Sequence, residues 1–219
     1  MGVRVLFGLF FAVACGAAQN ISSKIVSFTE LAHKIPSAAL KEARAADNAL
    51  KKGDLDGVIS HLEKVVLIDP AYVAAQRNLA LAYLKTHQYD KAAPALDKLA
   101  ELDPKSPLPY AGLSALYYNL NRMHDAEIAA RRALDNDPYY ELGHFLLGTT
   151  LALQGKEPQL ALGHLTKALK HYPVAYVTKA GILARLGQRD EAKVEIEAYL
   201  DTGETDARPA AEELLRQLY

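Results

Sequence analysis

Histidines, cysteines and clustered carboxylates are where chemistry would begin in this 219-residue chain, and here they are scattered. The seven histidines are His33, His61, His87, His124, His144, His164 and His171. None stands in a His-Glu-x-x-His pattern, whose spacing puts two imidazoles on one helix face for zinc. His164 and His171 are seven positions apart, two helical turns, too far to share a metal ion without outside help. His87 and His124 fall in expected turns, where a solvated side chain is the ordinary reading. Cys15 is the single cysteine, which rules out a cysteine pair for zinc. Gly148 and Gly155 in LLGTTLALQG lack the preceding strand that a phosphate loop needs. Ser37, Ser60, Ser106 and Ser114 have no elbow-like setting. Glu191, Glu195 and Glu197 share a helix with Arg189 and Lys193 and read as solvated charge. The expectation is a chain with no catalytic centre, no cofactor and no metal. A net charge of −1 gives no basic field for phosphate backbones, which argues against a nucleic-acid partner.

The elements that would position any site show themselves through a repeat. Asp69-Pro70, Asp103-Pro104 and Asp137-Pro138 are spaced 34 residues apart, and Pro173 follows 35 after Pro138. Each block reads as an amphipathic helix, a short polar turn (Gly53-Asp54, His87-Gln88, Asn121-Arg122) and a second helix. Small residues recur where helices must approach closely, in one row Val58, Ala92 and Ala126, in another Ala80, Ser114, Gly148 and Gly181. Leu79, Leu113 and Leu147 fill the first helices, and Leu62, Leu96 and Leu165 the second. Tyr83 and Tyr117 share a place for which Leu151 and Ala184 are the later counterparts. Proline ends the second helix and can open the next, where its missing N–H costs nothing. One such hairpin cannot bury its own apolar stripe, so neighbours must cover it.

These blocks resemble tetratricopeptide repeats, with small residues early, Tyr next, Ala in the second helix and Pro at the close. The resemblance covers roughly Pro36 to Tyr219. Glu42, Gln76, Tyr110, His144 and Val177 stand where the family's first aromatic belongs. It implies an all-α, right-handed superhelical solenoid of about five hairpins, in approximate units 39–72, 73–106, 107–140, 141–175 and 176–203. The fourth carries an extra residue around Glu157-Pro158-Gln159, and the fifth is one residue shorter at its turn. Residues 204–219 are expected to form a C-terminal capping helix.

In this family the first helix of each hairpin lines a concave groove that holds protein segments. The resemblance therefore implies a scaffold that binds another protein or peptide, with no small-molecule substrate evident. Carried over by position, the groove comprises Ala43, Asp47, Leu50, Arg77, Asn78, Leu81, Lys85, Ala111, Ala115, Tyr118, Phe145, Thr149, Thr178 and Arg185. Tyr118 is expected to be exposed there. Phe145 either joins it or packs between hairpins. The carboxylate clamp of chaperone-binding members would fall on Ala43, Asp47, Asn78, Leu108 and Gly112. Only Asn78 suits it, and Asp47 would repel a carboxylate.

The N-terminus, MGVRVLFGLFFAVACGAAQN, has Arg4, an apolar run from Val5 to Ala14, and then small residues. The run is shorter than the ~20 residues a membrane-spanning helix needs. It reads as an export signal over residues 1–18, with cleavage before Gln19 and a periplasmic or extracellular destination. The alternatives are an uncleaved anchor, or lipidation at Cys15 in a loose lipobox, which would make the chain a membrane-anchored factor in an envelope, pilus or secretion assembly. Residues 19–36 then form a tether with a short helix from Phe28 to Lys34, opened by a Ser27 to Glu30 capping box.

Overall fold

The computed structural model describes residues 34–219. The expected signal, Cys15, and all of the expected short helix but Lys34 lie outside these residues. Within them the chain is helical: α1 (Ser37–Lys51), α2 (Leu55–Ile68), α3 (Val73–Lys85), α4 (Tyr89–Leu102), α5 (Leu108–Asn119), α6 (Met123–Asn136), α7 (Glu141–Gln154), α8 (Pro158–Ala168), α9 (Ala175–Arg185), α10 (Arg189–Asp201) and α11 (Arg208–Leu218). No strand is present among the described residues. The helices pair in sequence order as five hairpins, each packed on the next, and α11 closes the far end against α9 and α10.

The turn between paired helices repeats in its hydrogen bonding. Asp54, Gln88, Arg122, Lys156 and Gln188 each donate a backbone N–H to the carbonyl five residues earlier, on Ala49, Tyr83, Tyr117, Leu151 and Leu183. That bond needs a left-handed residue just past the helix. Gly53, His87, Asn121, Gly155 and Gly187 supply it, with φ of 73°, 58°, 58°, 66° and 80°. Two of these five are not glycine, so the array tolerates a strain of about 1 kcal/mol at His87 and Asn121.

The link between hairpins explains the Asp-Pro pairs. The carbonyls of Asp69, Asp103 and Asp137 accept from the N–H three residues on, on Tyr72, Ser106 and Tyr140. Proline presets the second position of that turn. The Asp69 and Asp137 carboxylates also accept from the N–H groups of Ala71 and Tyr139, at 3.3 and 2.9 Å.

The left-handed residues are 34 apart up to Gly155, and then 32 separate it from Gly187. One residue is gained before α8, whose preceding Glu157 also has φ of 44°, and three are lost between Pro173 and Gly187, where α9 has 11 residues against 14 in α7. This corrects the fifth unit. Its turn is regular, and Pro173 is the equivalent of Pro138, since the Tyr172 carbonyl accepts from the Ala175 N–H as the Asp137 carbonyl does from Tyr140. Leu183, not Ala184, is the counterpart of Tyr83. Ala180, fully buried, takes the small-residue place assigned to Gly181. Tyr176, not Val177, fills the place of the first aromatic.

The core is one continuous apolar cluster running the length of the array. Ala80, Ser114, Gly148 and Ala180 are fully buried or nearly so, where the two helices of a hairpin cross. A Cβ on Gly148 would lie 2.7 Å from the Leu165 side chain and 3.0 Å from the Ala161 carbonyl oxygen. At the same place Ser114 donates its hydroxyl to the Ala126 carbonyl oxygen at 2.9 Å.

Candidate functional site

The inner wall of a hairpin array is open only where neighbouring first helices stand apart. Here α3, α5, α7 and α9 pack on one another along it, whereas α1 and α3 make no comparable contact. The consequence is read directly from burial. Ala111, Ala115 and Tyr118 of α5 and Phe145, Thr149 and Ala152 of α7 are all buried. Ala43, Asp47 and Leu50 of α1 and Arg77, Leu81 and Lys85 of α3 all retain solvent exposure.

This corrects the aromatic part of the expected groove. Tyr118 is fully buried, and burial pushes its phenol pKa far up. Phe145 is 2 % exposed and stacks on Tyr172 with ring centroids 5.3 Å apart, so of the two open readings the structure takes packing. Thr149 is buried as well, with a hydroxyl that has no hydrogen-bond partner among the described residues. Thr178 is also buried. Arg185 is exposed but committed, its guanidinium donating to the Ala152 carbonyl oxygen at 2.7 Å. A cation there also suits the negative end of α7.

What stays open is a cleft between the first two hairpins. Ala46, Asp47 and Leu50 of α1 form one side, Asn78, Leu81, Ala82 and Lys85 of α3 the other, and Leu55, Val58 and Leu62 of α2 the floor. It encloses about 490 Å³, the solvent at its mouth included. The floor is aliphatic. Asp47 and Lys85 stand on opposite rims, and neither enters an ion pair among the described residues. Between them the Asn78 side-chain oxygen is buried and accepts no hydrogen bond among the described residues. Five of the expected groove residues, Asp47, Leu50, Asn78, Leu81 and Lys85, thus meet in one place. Arg77 lies on α3 outside it.

Four of the histidines, His61, His144, His164 and His171, take partners on a facing helix. One pair of facing positions holds Glu42 and His61 in the first hairpin, 2.8 Å apart, and His144 and His164 in the fourth. His144 donates Nε2–H to the Pro138 carbonyl oxygen at 3.0 Å, which leaves its Nδ1 to accept from His164 Nδ1–H at 2.8 Å. Burial pushes both imidazoles down, His164 to about 4, so both are neutral near pH 7. His171 instead pairs with Glu141. Among the described residues no three His, Cys, Asp or Glu side chains converge to hold a metal ion. No described helix is long and apolar enough to cross a membrane.

Comparison with known proteins points to the same repeats. A profile described as tetratricopeptide repeat matches residues 49–115, from the end of α1 to the middle of α5. Residues 49–115 carry tetratricopeptide repeats. The chain is 30 % identical over 99 residues to human tetratricopeptide repeat protein 28, across 45 % of this chain and 4 % of that protein. It is 26 % identical over 158 residues to Hsp70-Hsp90 organizing protein 1 of Glycine max, across 72 % of this chain and 27 % of that one. The chain therefore matches only a small part of these curated tetratricopeptide relatives. Among solved structures, that of MamA is similar with a TM-score of 0.62 at 26 % identity, over 74 % of this chain and 96 % of that chain. The fold is consistent with a protein-interaction scaffold, and the cleft is an unfilled surface on it.

Proposed function

We propose that this chain is a non-catalytic scaffold that holds a short segment of another protein in the cleft between its first two hairpins. The observation that carries this reading is the cleft itself, an aliphatic floor with an unsatisfied buried amide oxygen and opposite charges on its rims. A segment that places an apolar side chain against Leu50, Leu55 and Leu81, which are partly exposed, would remove those surfaces from water. An N–H from the same segment would satisfy the Asn78 oxygen, whose isolation otherwise costs about 1–3 kcal/mol. Asp47 and Lys85, some distance apart across the mouth, would set the direction of the guest through charge. Nothing in this arrangement offers a nucleophile beside a base. An export signal at residues 1–18 would put the scaffold in a periplasmic or extracellular setting.

The test is capture of the native partner from cells of the host by tagged chain, followed by replacement of Leu81 and Lys85. Leu81→Asp with Lys85→Glu is expected to abolish recovery of the partner while far-UV circular dichroism stays unchanged, since both side chains are partly exposed. Undiminished recovery would place the interface elsewhere on the array.

A further inference from the structure

The two helices of a hairpin face each other at one recurring pair of positions, counted from the left-handed turn residue. The pair is Glu42 and His61 in the first hairpin and Gln76 and Ala95 in the second. In the fourth it is His144 and His164, where the residue gained before α8 shifts the count by one. A proton on His61 turns its 2.8 Å contact with Glu42 into an ion pair, and that bond already holds the Glu42 carboxyl below the usual carboxylate range. A proton in the fourth hairpin has no carboxylate to meet across the pair. It joins two bases instead.

The hydrogen bonds make this pair sensitive to protons. His144 is tied at both nitrogens, to the Pro138 carbonyl through Nε2 and to His164 through Nδ1. A first proton can enter at His164 Nε2 with the bond between the rings intact, but it puts a charge in a half-buried place. A second, on His144 Nδ1, sets N–H against N–H and breaks that bond. Burial is the main cost of charge on either ring. A charge on His164 is opposed further by His144, by Lys167 of α8 and by Arg131 of α6. His144 meets Lys167 as well, while the Pro138 carbonyl, Glu141 and Asp137 offset part of the cost, Glu141 being shared with His171. Of the other helices packed on α7, α5 brings no charged side chain. Lys179 and Arg185 of α9 are held by Glu195 and by the Ala152 carbonyl.

We propose that mild acid opens the fourth hairpin at this pair and so uncouples the last two hairpins from the first two, whose packing it leaves in place. The pair sits where opening would spread. His144 lies one turn from Gly148, where α7 crosses α8 against Leu165 and Ala161, and its Nε2 bond anchors the link from the third hairpin. The fifth hairpin packs on α7 and α8 through α9 and loses its support with them. Both rings are held below the ordinary imidazole value of 6.5, His164 at about 4. The stability that rests on their neutral forms is therefore complete above that ordinary value and is lost as the pH falls from it toward the folded one. The result is a scaffold shortened by acid while its cleft persists.

Amide hydrogen exchange of the full chain in neutral and in acid buffer, corrected for the chemical exchange rate, tests this segment by segment. Between about pH 7.5 and about pH 5, protection of α7 and α8 should fall about thirty-fold from the His164 shift alone, while α1 to α4 change far less. His144→Gln with His164→Ala gives the fourth hairpin the pair of the second, where the Gln76 amide donates to the Pro70 carbonyl at 3.0 Å. That variant should lose the acid response of α7 and α8, whatever its stability in neutral buffer. Equal protection of α7 and α8 in the two buffers in the unaltered chain would overturn the proposal. So would an acid response that the double variant retains, or one spread evenly over all five hairpins.

Discussion

Tyr118→Ala is expected to destabilise the chain by about 3–5 kcal/mol, the range for emptying a large, well-packed core site. Tyr118 is fully buried in the middle of the array, where α5 meets its neighbours. The array has no second core to fall back on, and stability is a sum of hairpin and neighbour terms. A cavity at this junction should therefore uncouple the first two hairpins from the last two, and urea unfolding followed by circular dichroism should show a lower midpoint and a broader transition. Phe145→Ala should do the same, since it removes the ring stacked on Tyr172. Leu81→Ala, at the half-open wall of the cleft, should cost less than half as much. A Tyr118→Ala chain of unaltered stability that loses its partner would return Tyr118 to the docking surface.

The second large effect is expected in the last hairpin. Where Leu79, Leu113 and Leu147 sit in earlier units, counted from the left-handed turn residue, the fifth has Lys179. Only 8 % of it is exposed, and its ammonium reaches Glu195 of α10 at 2.7 Å and the Tyr176 ring at 5.9 Å. The other Glu195 oxygen is buried without a hydrogen-bond partner among the described residues. Two charges brought from water into such a place gain little net stability from each other, but either one alone is costly. Lys179→Met should therefore destabilise by about 3 kcal/mol, because it strands the carboxylate. Lys179→Leu combined with Glu195→Leu should fall within about 1 kcal/mol of the unaltered chain. The double-mutant cycle, read by thermal and urea unfolding, separates the pair from its parts. Equal and additive losses from the two single changes would show that the residues do not act as a pair.

Both residues mark the boundary of what the sequence could say. The hairpin architecture was legible because the turn chemistry repeats. A left-handed residue and an Asp-Pro link recur 34 positions apart, and small residues mark every crossing. The register of the fifth unit was hidden because Pro173 closes its link as Pro138 does, while α9 beyond it is three residues shorter than α7. Pairings across a hairpin were hidden for a different reason. His144 with His164, and Lys179 with Glu195, join separate helices 20 and 16 residues apart, and no periodicity along one helix reports such a contact.

The candidate site was half legible. Family position brought Asp47, Leu50, Asn78, Leu81 and Lys85 to one wall, and the cleft gathers all five. Position could not say how far each first helix stands from the next. That spacing follows from side-chain volume at the crossings and decides that Tyr118, Phe145 and Thr149 are covered while Leu81 is not.

The reading rests on an inner wall that is closed at its centre and open at its first junction. Single cysteines placed at Leu81, Tyr118 and Phe145, each in a chain with Cys15→Ser, test this through the rate of maleimide labelling. The cysteine at 81 should react at close to the rate of a free thiol, and those at 118 and 145 should be at least a hundred-fold slower, limited by opening of the fold. Comparable rates at all three positions would contradict it.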